Sequence, residues 1–230
     1  MTDEQPRHHG AFFGRRKGHP LRAHQAGLFE TLLPRLAVDL TTPARDLAAL
    51  FPHPTDDIHL EIGFGGAEHL IAQALDQPRV GFIGCEPFVN GMAKALGAID
   101  AQKIENIRLH HADAVDLLDW LPDHSLGRLD LLYPDPWPKR RHWKRRFVNA
   151  ANIARLARVL RPGGEFRFAT DWANYAEWTL LRLTSAREFS WTAARADDWR
   201  KPWPGFTQTR YEAKAIREGR VPCYLVFRRT

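Results

Sequence analysis

Short apolar runs and stretches with helical spacing of apolar residues follow one another along most of this chain. A continuous apolar run is typical of a strand buried on both faces, and apolar residues three and four positions apart indicate a helix. This strand–helix alternation predicts an α/β fold with a doubly wound, mostly parallel sheet. We predict strands at 58–64, 80–85, 107–110, 129–133 and 165–169 and helices at 67–75, 88–101, 114–120, 147–160 and 175–187.

The two ends of the chain depart from this alternation. Residues 28–36 have the spacing of a short helix, and 223–227 form a last apolar strand. Residues 1–25 are polar and rich in glycine, and Arg15, Arg16 and Lys17 make them basic. We predict a flexible basic N-terminal arm over 1–25 and a single domain over 26–230. A disordered tail and an arm that touches nucleic acid remain equal alternatives for the first segment.

The composition points to a soluble enzyme-sized domain with an acidic partner. The chain has 230 residues, 44% of them apolar and 26% charged, which is ordinary for a globular protein. Its net charge of +6 is concentrated in clusters, so nucleic acid is the first expected partner and an anionic membrane the second.

The sequence shows no pattern of a membrane span or a signal peptide. No apolar run approaches the length of about 18 residues that a membrane span needs, and the first residues lack a signal-peptide pattern. Two cysteines in apolar runs favour a reducing cytoplasm, and the scattered histidines predict no metal site.

One stretch combines a stiff turn with a dense run of cations. The predicted strand 129–133 leads into three alternating prolines that hold Asp135 and Trp137, and six of the eight residues 139–146 are Lys or Arg. The same run precedes the predicted helix 147–160, where the helix dipole disfavours cations. An external anion such as phosphate accounts for this choice, and a solvated surface turn is the alternative.

Acidic residues stand at or near the end of every predicted strand of the alternating series. Ligands of doubly wound sheets bind where the carboxyl ends of the strands meet. We therefore expect these acids to line one edge of the sheet, although each taken alone is also compatible with a surface acid or a helix cap. They are Glu61, Glu86, Asp113, Asp135 and Asp171.

The glycine-rich loop after the first strand favours a cofactor without phosphate. In the sequence 63–68, Glu68 occupies the place of the third glycine of a dinucleotide fingerprint, and Glu61 would repel a pyrophosphate. S-adenosylmethionine fits better, because Glu86 suits ribose hydroxyls, Asp113 suits the adenine amine, and nearby acids tolerate its cationic end. NAD remains the alternative.

Five motifs in order complete the picture: Glu61-Ile62-Gly63-Phe64-Gly65, Tyr133-Pro134-Asp135-Pro136-Trp137-Pro138-Lys139, the run 141–146, Thr170-Asp171-Trp172 and Thr209-Arg210-Tyr211-Glu212. Together they resemble the bacterial tRNA (guanine-N7-)-methyltransferases, the TrmB family of class I methyltransferases with a Rossmann-like sheet. The resemblance extends from about residue 13 to the C-terminus. One departure is Ala67, where members commonly have glycine.

The resemblance implies methyl transfer from S-adenosylmethionine to N7 of a guanine in the variable loop of tRNA (guanine-46). It implies that Asp135 is the active-site residue and that the donor is bound by Glu61, Gly63, Gly65, Glu86, Asp113 and Asp135. It implies substrate contacts from Lys139, Asp171, Thr209, Arg210, Tyr211 and Glu212. It implies RNA contacts from Arg141, His142, Trp143, Lys144, Arg145 and Arg146.

Further expectations concern the chemistry of the reaction. Guanine N7 has a free lone pair, so we expect geometry and a carboxylate near the ring, from Asp135 or Asp171, to matter more than a strong base. Trp137 or Tyr211 is a candidate to stack on the base.

Two other functions remain as alternatives. An exocyclic-amine methyltransferase is suggested by Pro134-Asp135-Pro136-Trp137, and an RNA-binding protein with a degenerate cofactor pocket is suggested by Ala67. The oligomeric state is not determined by the sequence, with a monomer as the default.

Overall fold

The computed structural model describes residues 16, 18–43 and 45–230 of the chain. Its centre is a seven-stranded sheet in the order β3-β2-β1-β4-β5-β7-β6. The strands from β3 to β5 are parallel, and β7 runs antiparallel to both of its neighbours. The predicted doubly wound, mostly parallel sheet is thereby confirmed. The strands are β1 Asp57–Ile62, β2 Val80–Cys85, β3 Ile107–His110, β4 Leu126–Leu132, β5 Leu160–Thr170, β6 Phe189–Trp191 and β7 Cys223–Arg229.

Helices cover both faces of this sheet. Adjacent residues of a strand point to opposite faces, and Phe82 and Ile83 of β2 belong to two different apolar clusters of the core. Burial on both faces explains why the central strands read as unbroken apolar runs. The helices are α1 Ala23–Thr31, α2 Leu33–Leu36, α3 Glu68–Asp76, α4 Val89–Gln102, α5 Ala114–Trp120, α6 Ala150–Val159, α7 Ala173–Thr184, α8 Asp197–Arg200 and α9 Arg210–Arg217, with 3-10 turns at Ala48–Leu50 and Arg140–Arg145.

The helix predicted at 147–160 begins later than expected, and this corrects the argument from the helix dipole. Asn149 caps α6 by accepting a hydrogen bond from Asn152 N at 3.1 Å, so the helix starts at Ala150. The basic run forms its own 3-10 turn, Arg140–Arg145, separated from α6 by four residues. The cations therefore do not oppose the dipole of α6. A role in binding anions has to be supported by the exposure and the contacts of these side chains instead.

Other differences lie at turns and near the ends of the chain. Strand β5 begins earlier than the predicted 165–169, at Leu160, and its first residues are irregular, because the pairing with β4 shifts register there. The periodicity did not reveal β6 or α9, which are short. Of the predicted N-terminal arm, residues 1–15 and 17 lie outside the described residues. Arg16 O accepts a hydrogen bond from Val89 N at 3.0 Å, and α1 begins at Ala23, inside the segment assigned to the arm.

Within the described part of the chain, no helix is long and apolar enough to cross a membrane. No group of three or more His, Cys, Asp or Glu side chains among these residues is arranged to hold a metal ion.

Candidate active site

A cavity of about 790 Å³ opens at the carboxyl edge of the parallel strands. Its walls come from the loops that follow β1, β2, β3 and β4, and from the first turn of α9. Of the residues predicted for the donor and substrate sites, those that line it are Gly63, Gly65, Glu86, Asp113, Asp135 and Tyr211. Lys144, Arg145 and Arg146 of the basic run also line it.

The first loop is held against the end of β2 by one carboxylate. Gly65 N donates to Glu86 Oε2 at 2.7 Å, and Phe88 N donates to Glu86 Oε1 at 2.9 Å. Burial raises the pKa of the Glu86 carboxyl, against the two backbone hydrogen bonds, which lower it. Each oxygen keeps a further lone pair, so Glu86 can also accept from a ligand hydroxyl in the cavity.

Glycine is required in this loop by backbone conformation. Gly63 and Gly65 have φ of 72° and 56°, a region that residues with a Cβ rarely adopt. A Cβ added to Gly63 would meet nothing within 4 Å, which leaves a cradle at the cavity wall. Ala67 also has a positive φ, 65°, and its methyl group is fully buried. The departure at this position therefore leaves the turn intact.

Asp113 and Asp135 face the cavity from the next two loops. Asp113 caps α5, with Oδ1 accepting from Val115 N at 2.9 Å. Asp135 is exposed between two prolines, yet the surrounding loop desolvates its carboxyl and raises its pKa. The loop turns sharply on each side, because Tyr133 and Trp137 adopt φ of 51° and 45°.

The other two strand-end acids do not line this cavity, and each is bound to a basic side chain of the protein. Glu61 is 4% exposed, and its Oε2 accepts from His69 Nδ1 at 2.9 Å. Asp171 accepts from Arg220 Nε at 2.5 Å, and Arg220 also pairs with Glu218. Of the five strand-end acids, Glu86, Asp113 and Asp135 therefore line the cavity, whereas Glu61 and Asp171 lie outside its lining.

The Thr209–Glu212 segment is the start of α9 rather than a loop. Thr209 caps the helix by accepting from Glu212 N at 3.2 Å, and the side chain of Tyr211 reaches the cavity. Glu212 is buried and accepts from the Tyr224 hydroxyl, while its second oxygen has no partner in the described structure. Arg210 lies 5.0 Å from the centre of the Tyr211 ring and beside the first loop.

Arg146 differs from the other cations of its run. It is 1% exposed, and its guanidinium donates to Pro136 O at 2.9 Å and to Asn174 Oδ1 at 2.8 Å. The same group lies 4.7 to 5.0 Å from the ring centres of three aromatic residues, Trp143, Tyr175 and Trp178. We therefore remove Arg146 from the candidate RNA contacts, because its donors are used inside the protein.

Four other cations of the run face outward. Lys139, Arg140, Arg141 and Lys144 are exposed, and none of them forms an ion pair with a described residue. Arg145 lies 4.9 Å from the centre of the Trp137 ring, beside the Asp135 loop. Cations without carboxylate partners keep their charge available for an external anion.

Several residues that complete the site gave no signal in the sequence. His69, Arg220 and Tyr224 hold predicted site residues from 8, 49 and 12 positions away. No local periodicity or motif spacing connects such pairs, because the fold alone brings them together. Complementary charge is the only clue, and it does not choose among the many cations of this chain.

The cavity fits S-adenosylmethionine better than a dinucleotide. Its acids, Glu86, Asp113 and Asp135, can accept hydrogen bonds from ribose hydroxyls, an amine and a cationic end. Three carboxylates at one wall would repel a pyrophosphate. The glycine cradle at Gly63 leaves room for a ligand to approach the backbone.

Comparisons with known proteins agree with this site. Residues 55–224 match the family described as "Putative methyltransferase". A tRNA (guanine-N(7)-)-methyltransferase of Rhodopseudomonas palustris (strain BisB5) is 60% identical over 228 residues, which are 99% of this chain and 89% of the relative. The enzyme of that name from Rhizobium meliloti (strain 1021) is 60% identical over 220 residues, 95% of each chain.

Solved structures share the fold at low sequence identity. The 16S rRNA methyltransferase KamB superimposes with a TM-score of 0.57 at 18% identity, covering 76% of this chain and 89% of that one. TrmN from Thermus thermophilus gives a TM-score of 0.55 at 18% identity, covering 80% of this chain and 47% of that one. The sheet is thus that of Rossmann-like methyltransferases, and the family expected from the motifs is confirmed. The chain belongs to the tRNA (guanine-N(7)-)-methyltransferase family.

Proposed function

We propose that this protein transfers a methyl group from S-adenosylmethionine to N7 of a guanine in tRNA, as the names of its relatives imply. One observation carries the proposal from the geometry. The cavity that contains Glu86, Asp113 and Asp135 is also lined by Lys144 and Arg145 of the basic run. A base whose phosphates rest on that run can therefore enter the space that the donor shares.

Glu86 and Asp113 would hold the donor, and Asp135 remains a proposed donor contact beside them. Glu86, at the end of β2, is placed to accept from the ribose hydroxyls, and Asp113, at the end of β3, from the adenine amine. Glu61 lies outside the cavity lining, so we assign it to the support of the first loop rather than to direct contact. When bound, S-adenosylmethionine supplies an electrophilic methyl group on a sulfonium.

Asp135 would stabilise the charge that develops on the base. The N7 lone pair forms the new bond to carbon as the bond from sulfur to carbon breaks, and the guanine ring becomes cationic. A carboxylate held by a stiff loop at the cavity wall favours that charge without having to accept a proton. The raised pKa of Asp135 predicts that this help is lost on acidification at a higher pH than for an ordinary aspartate.

The guanine edge would be read by acids beside the cavity. Asp171 keeps Oδ1 available while Arg220 holds Oδ2. This oxygen can accept from guanine N1–H or N2–H, a pair of donors that adenine does not offer. Glu212 is buried and remains a proposed substrate contact. Lys139, Thr209, Arg210 and Tyr211 remain proposed substrate contacts around them.

RNA would be bound by the 3-10 turn that the basic run forms. Arg141, His142, Trp143, Lys144 and Arg145 form the 3-10 turn beside the Asp135 loop and stay in this proposal, whereas Arg146 leaves it. The basic N-terminal arm remains a proposed contact, and a single domain over 26–230 remains the proposed organisation. We also propose a cytoplasmic site of action, supported by two free cysteines and by tRNA as the substrate.

The test is a methyl-transfer assay with labelled S-adenosylmethionine and unmodified tRNA transcript, followed by nucleoside mass spectrometry. The wild type should produce 7-methylguanosine, and Asp135→Asn should lower kcat by about 10²-fold or more. Asp46→Asn, at the opposite edge of the sheet, is the matched control and should act like the wild type.

Each other outcome rejects a part of the proposal. Label on an exocyclic amine would assign the protein to amine methylation instead. Absence of label, with tRNA bound and no heat on addition of the donor, would identify a binding protein with a degenerate pocket. Full activity of Asp135→Asn would remove this residue from the chemistry.

A further inference from the structure

Two arginines and two tryptophans form a continuous surface that begins in the basic run and extends onto α7, which we call the arginine–tryptophan face. Arg140 lies 5.7 Å from the centre of the Trp143 ring, and Trp143 packs edge-on against Trp178 with ring centres 5.6 Å apart. Arg182 covers the outer side of Trp178, 3.1 Å from the ring centre. Trp178 and Arg182 belong to α7, so the face continues from the 3-10 turn onto a second element.

The face is rigid, because its members are tied to the protein interior. Trp178 Nε1 donates to Val148 O at 2.7 Å, which fixes the orientation of the indole. The buried Arg146 lies beneath the rings of Trp143 and Trp178, and its Nε bonds to Pro136 O in the Asp135 loop. The face therefore has a fixed position relative to the cavity.

The charges of the face have no carboxylate partner in the described structure, and the one polar contact of Arg182 is a 3.5 Å hydrogen bond from its Nη1 to Trp178 O. Arg140 and Arg182 form no ion pair with any residue of the described chain. On the neighbouring helix α6 the pattern differs, since Arg155 donates to both oxygens of Asp119. One guanidinium without a carboxylate partner therefore lies at each end of the tryptophan pair, and together they form a cationic surface that can bind an external anion.

Phosphate is the anion that suits this arrangement. A guanidinium stacked on an indole keeps its edge free, and its paired N–H groups match two phosphate oxygens. The exposed parts of the indoles offer flat apolar surface to sugars or unpaired bases. Alternating arginine and tryptophan thus fit a sugar–phosphate backbone, and an acidic protein would leave the aromatic surface without a matching contact.

We propose that the arginine–tryptophan face, made of Arg140, Trp143, Trp178 and Arg182, binds the phosphate backbone of the substrate RNA outside the cavity. The inference rests on the proposed function in naming the RNA as tRNA. It extends the RNA footprint along α7, away from the loops that hold the donor. The methylated nucleotide would lie in the cavity, and a flanking segment of the same molecule would lie on this face.

The experiment measures the affinity of full-length protein for unmodified tRNA transcript by fluorescence anisotropy at several NaCl concentrations. Arg182→Ala should raise Kd by about 5- to 10-fold near 0.1 M salt, and the slope of log K against log salt should fall by about 0.7 to 0.9. Arg182→Lys keeps the positive charge but loses the stacking on Trp178 and the paired N–H donors of the guanidinium. Its Kd should therefore lie between that of the wild type and that of Arg182→Ala. Arg45→Ala, near the amino ends of the strands, removes the same charge elsewhere and is the control.

The readouts separate this inference from the proposed function. Calorimetry with S-adenosylmethionine should give the same donor affinity for Arg182→Ala as for the wild type. If wild-type protein methylates tRNA while Arg182→Ala and Arg45→Ala bind it equally well, the face is not an RNA site and the proposed function stands. If the wild type itself neither binds nor methylates tRNA, the proposed function is rejected, and the inference that the face binds tRNA is rejected with it. Self-association of the wild type that Arg182→Ala abolishes would assign the face to a second copy and overturn the inference.

Discussion

At the scale of single residues, partners decide what each acid of the site can do. Glu61 is paired inside the protein with His69, and Asp130 and Arg128 lie close enough to act on the charge of the imidazole. Burial lowers the pKa of His69, but the charge and hydrogen bond of Glu61 outweigh it, and the net pKa is raised. The folded state therefore binds the proton of His69 more tightly than the unfolded chain does.

The pH dependence of stability should reveal this pair. The contribution of His69 is complete below the unfolded pKa of about 6.5 and is lost as the pH rises through the higher folded pKa. We expect His69→Gln to lower the free energy of unfolding by about 1.5 to 3 kcal/mol at pH 6, a cost typical of a charged hydrogen bond. The difference between variant and wild type, from urea unfolding, should shrink toward pH 9.

A control pair exists at the surface. His53 and Glu105 form the same contact at 2.9 Å with side chains that are 70% and 66% exposed, so His53→Gln should change stability by less than about 1 kcal/mol. A cost of His69→Gln that grows from pH 6 to pH 9 would mean that the imidazole is neutral in the folded protein.

At the scale of elements, one buried guanidinium joins three parts of the site. Arg146 connects the Asp135 loop through Pro136, α7 through Asn174, and the basic 3-10 turn through the ring of Trp143. A loop that holds a reacting carboxylate needs such support, because small shifts in geometry lower the rate steeply. The same side chain underlies the arginine–tryptophan face.

Removing this connection should cost both stability and activity. We expect Arg146→Ala to lower the free energy of unfolding by about 3 kcal/mol, as for other large buried side chains, and Arg146→Lys to lower it less. Arg141→Ala, an exposed neighbour, should leave stability within about 0.5 kcal/mol of the wild type. Denaturant unfolding measures all three, and equal stability of Arg146→Ala and Arg141→Ala would contradict an internal role for Arg146.

At the scale of the whole molecule, acids and cations meet at one cavity. Its lining includes the carboxylates of Glu86, Asp113 and Asp135 and the cations of the basic run, on a chain with a net charge of +6. In the proposed function the donor uses the carboxylates, and the phosphates of RNA use the cations. The parallel sheet brings both to one edge, since β1 to β4 all end there.

Salt should therefore affect the two ligands differently. If about four phosphates are contacted, raising NaCl from about 50 to 200 mM should weaken tRNA binding by about 10²-fold. The affinity for S-adenosylmethionine should change little, because a small ligand displaces few counterions. Parallel anisotropy and calorimetry titrations check this, and a tRNA affinity that does not depend on salt would exclude a grip through phosphates.

The sequence by itself determined the elements that are encoded by short-range patterns. Strands 80–85 and 107–110 and helix 114–120 were predicted with the bounds that the structure has, because their apolar periods are clear and their ends are marked by turn residues or a capping acid. The order of these elements implied a parallel sheet, and the sheet implied that strand-end acids share an edge. The motifs in order were also enough to indicate the family.

Only the tertiary structure decided which charges are available. Arg146 and Arg141 belong to the same basic run, yet Arg146 is 1% exposed and lies among three aromatic rings, whereas Arg141 is exposed to solvent. Glu61 and Asp171 have the same strand-end position as Asp135, but distant residues of α3 and of the segment before β7 neutralise them. A charge acts on a ligand only when no internal partner holds it, and the partner is chosen by packing between segments far apart in the chain.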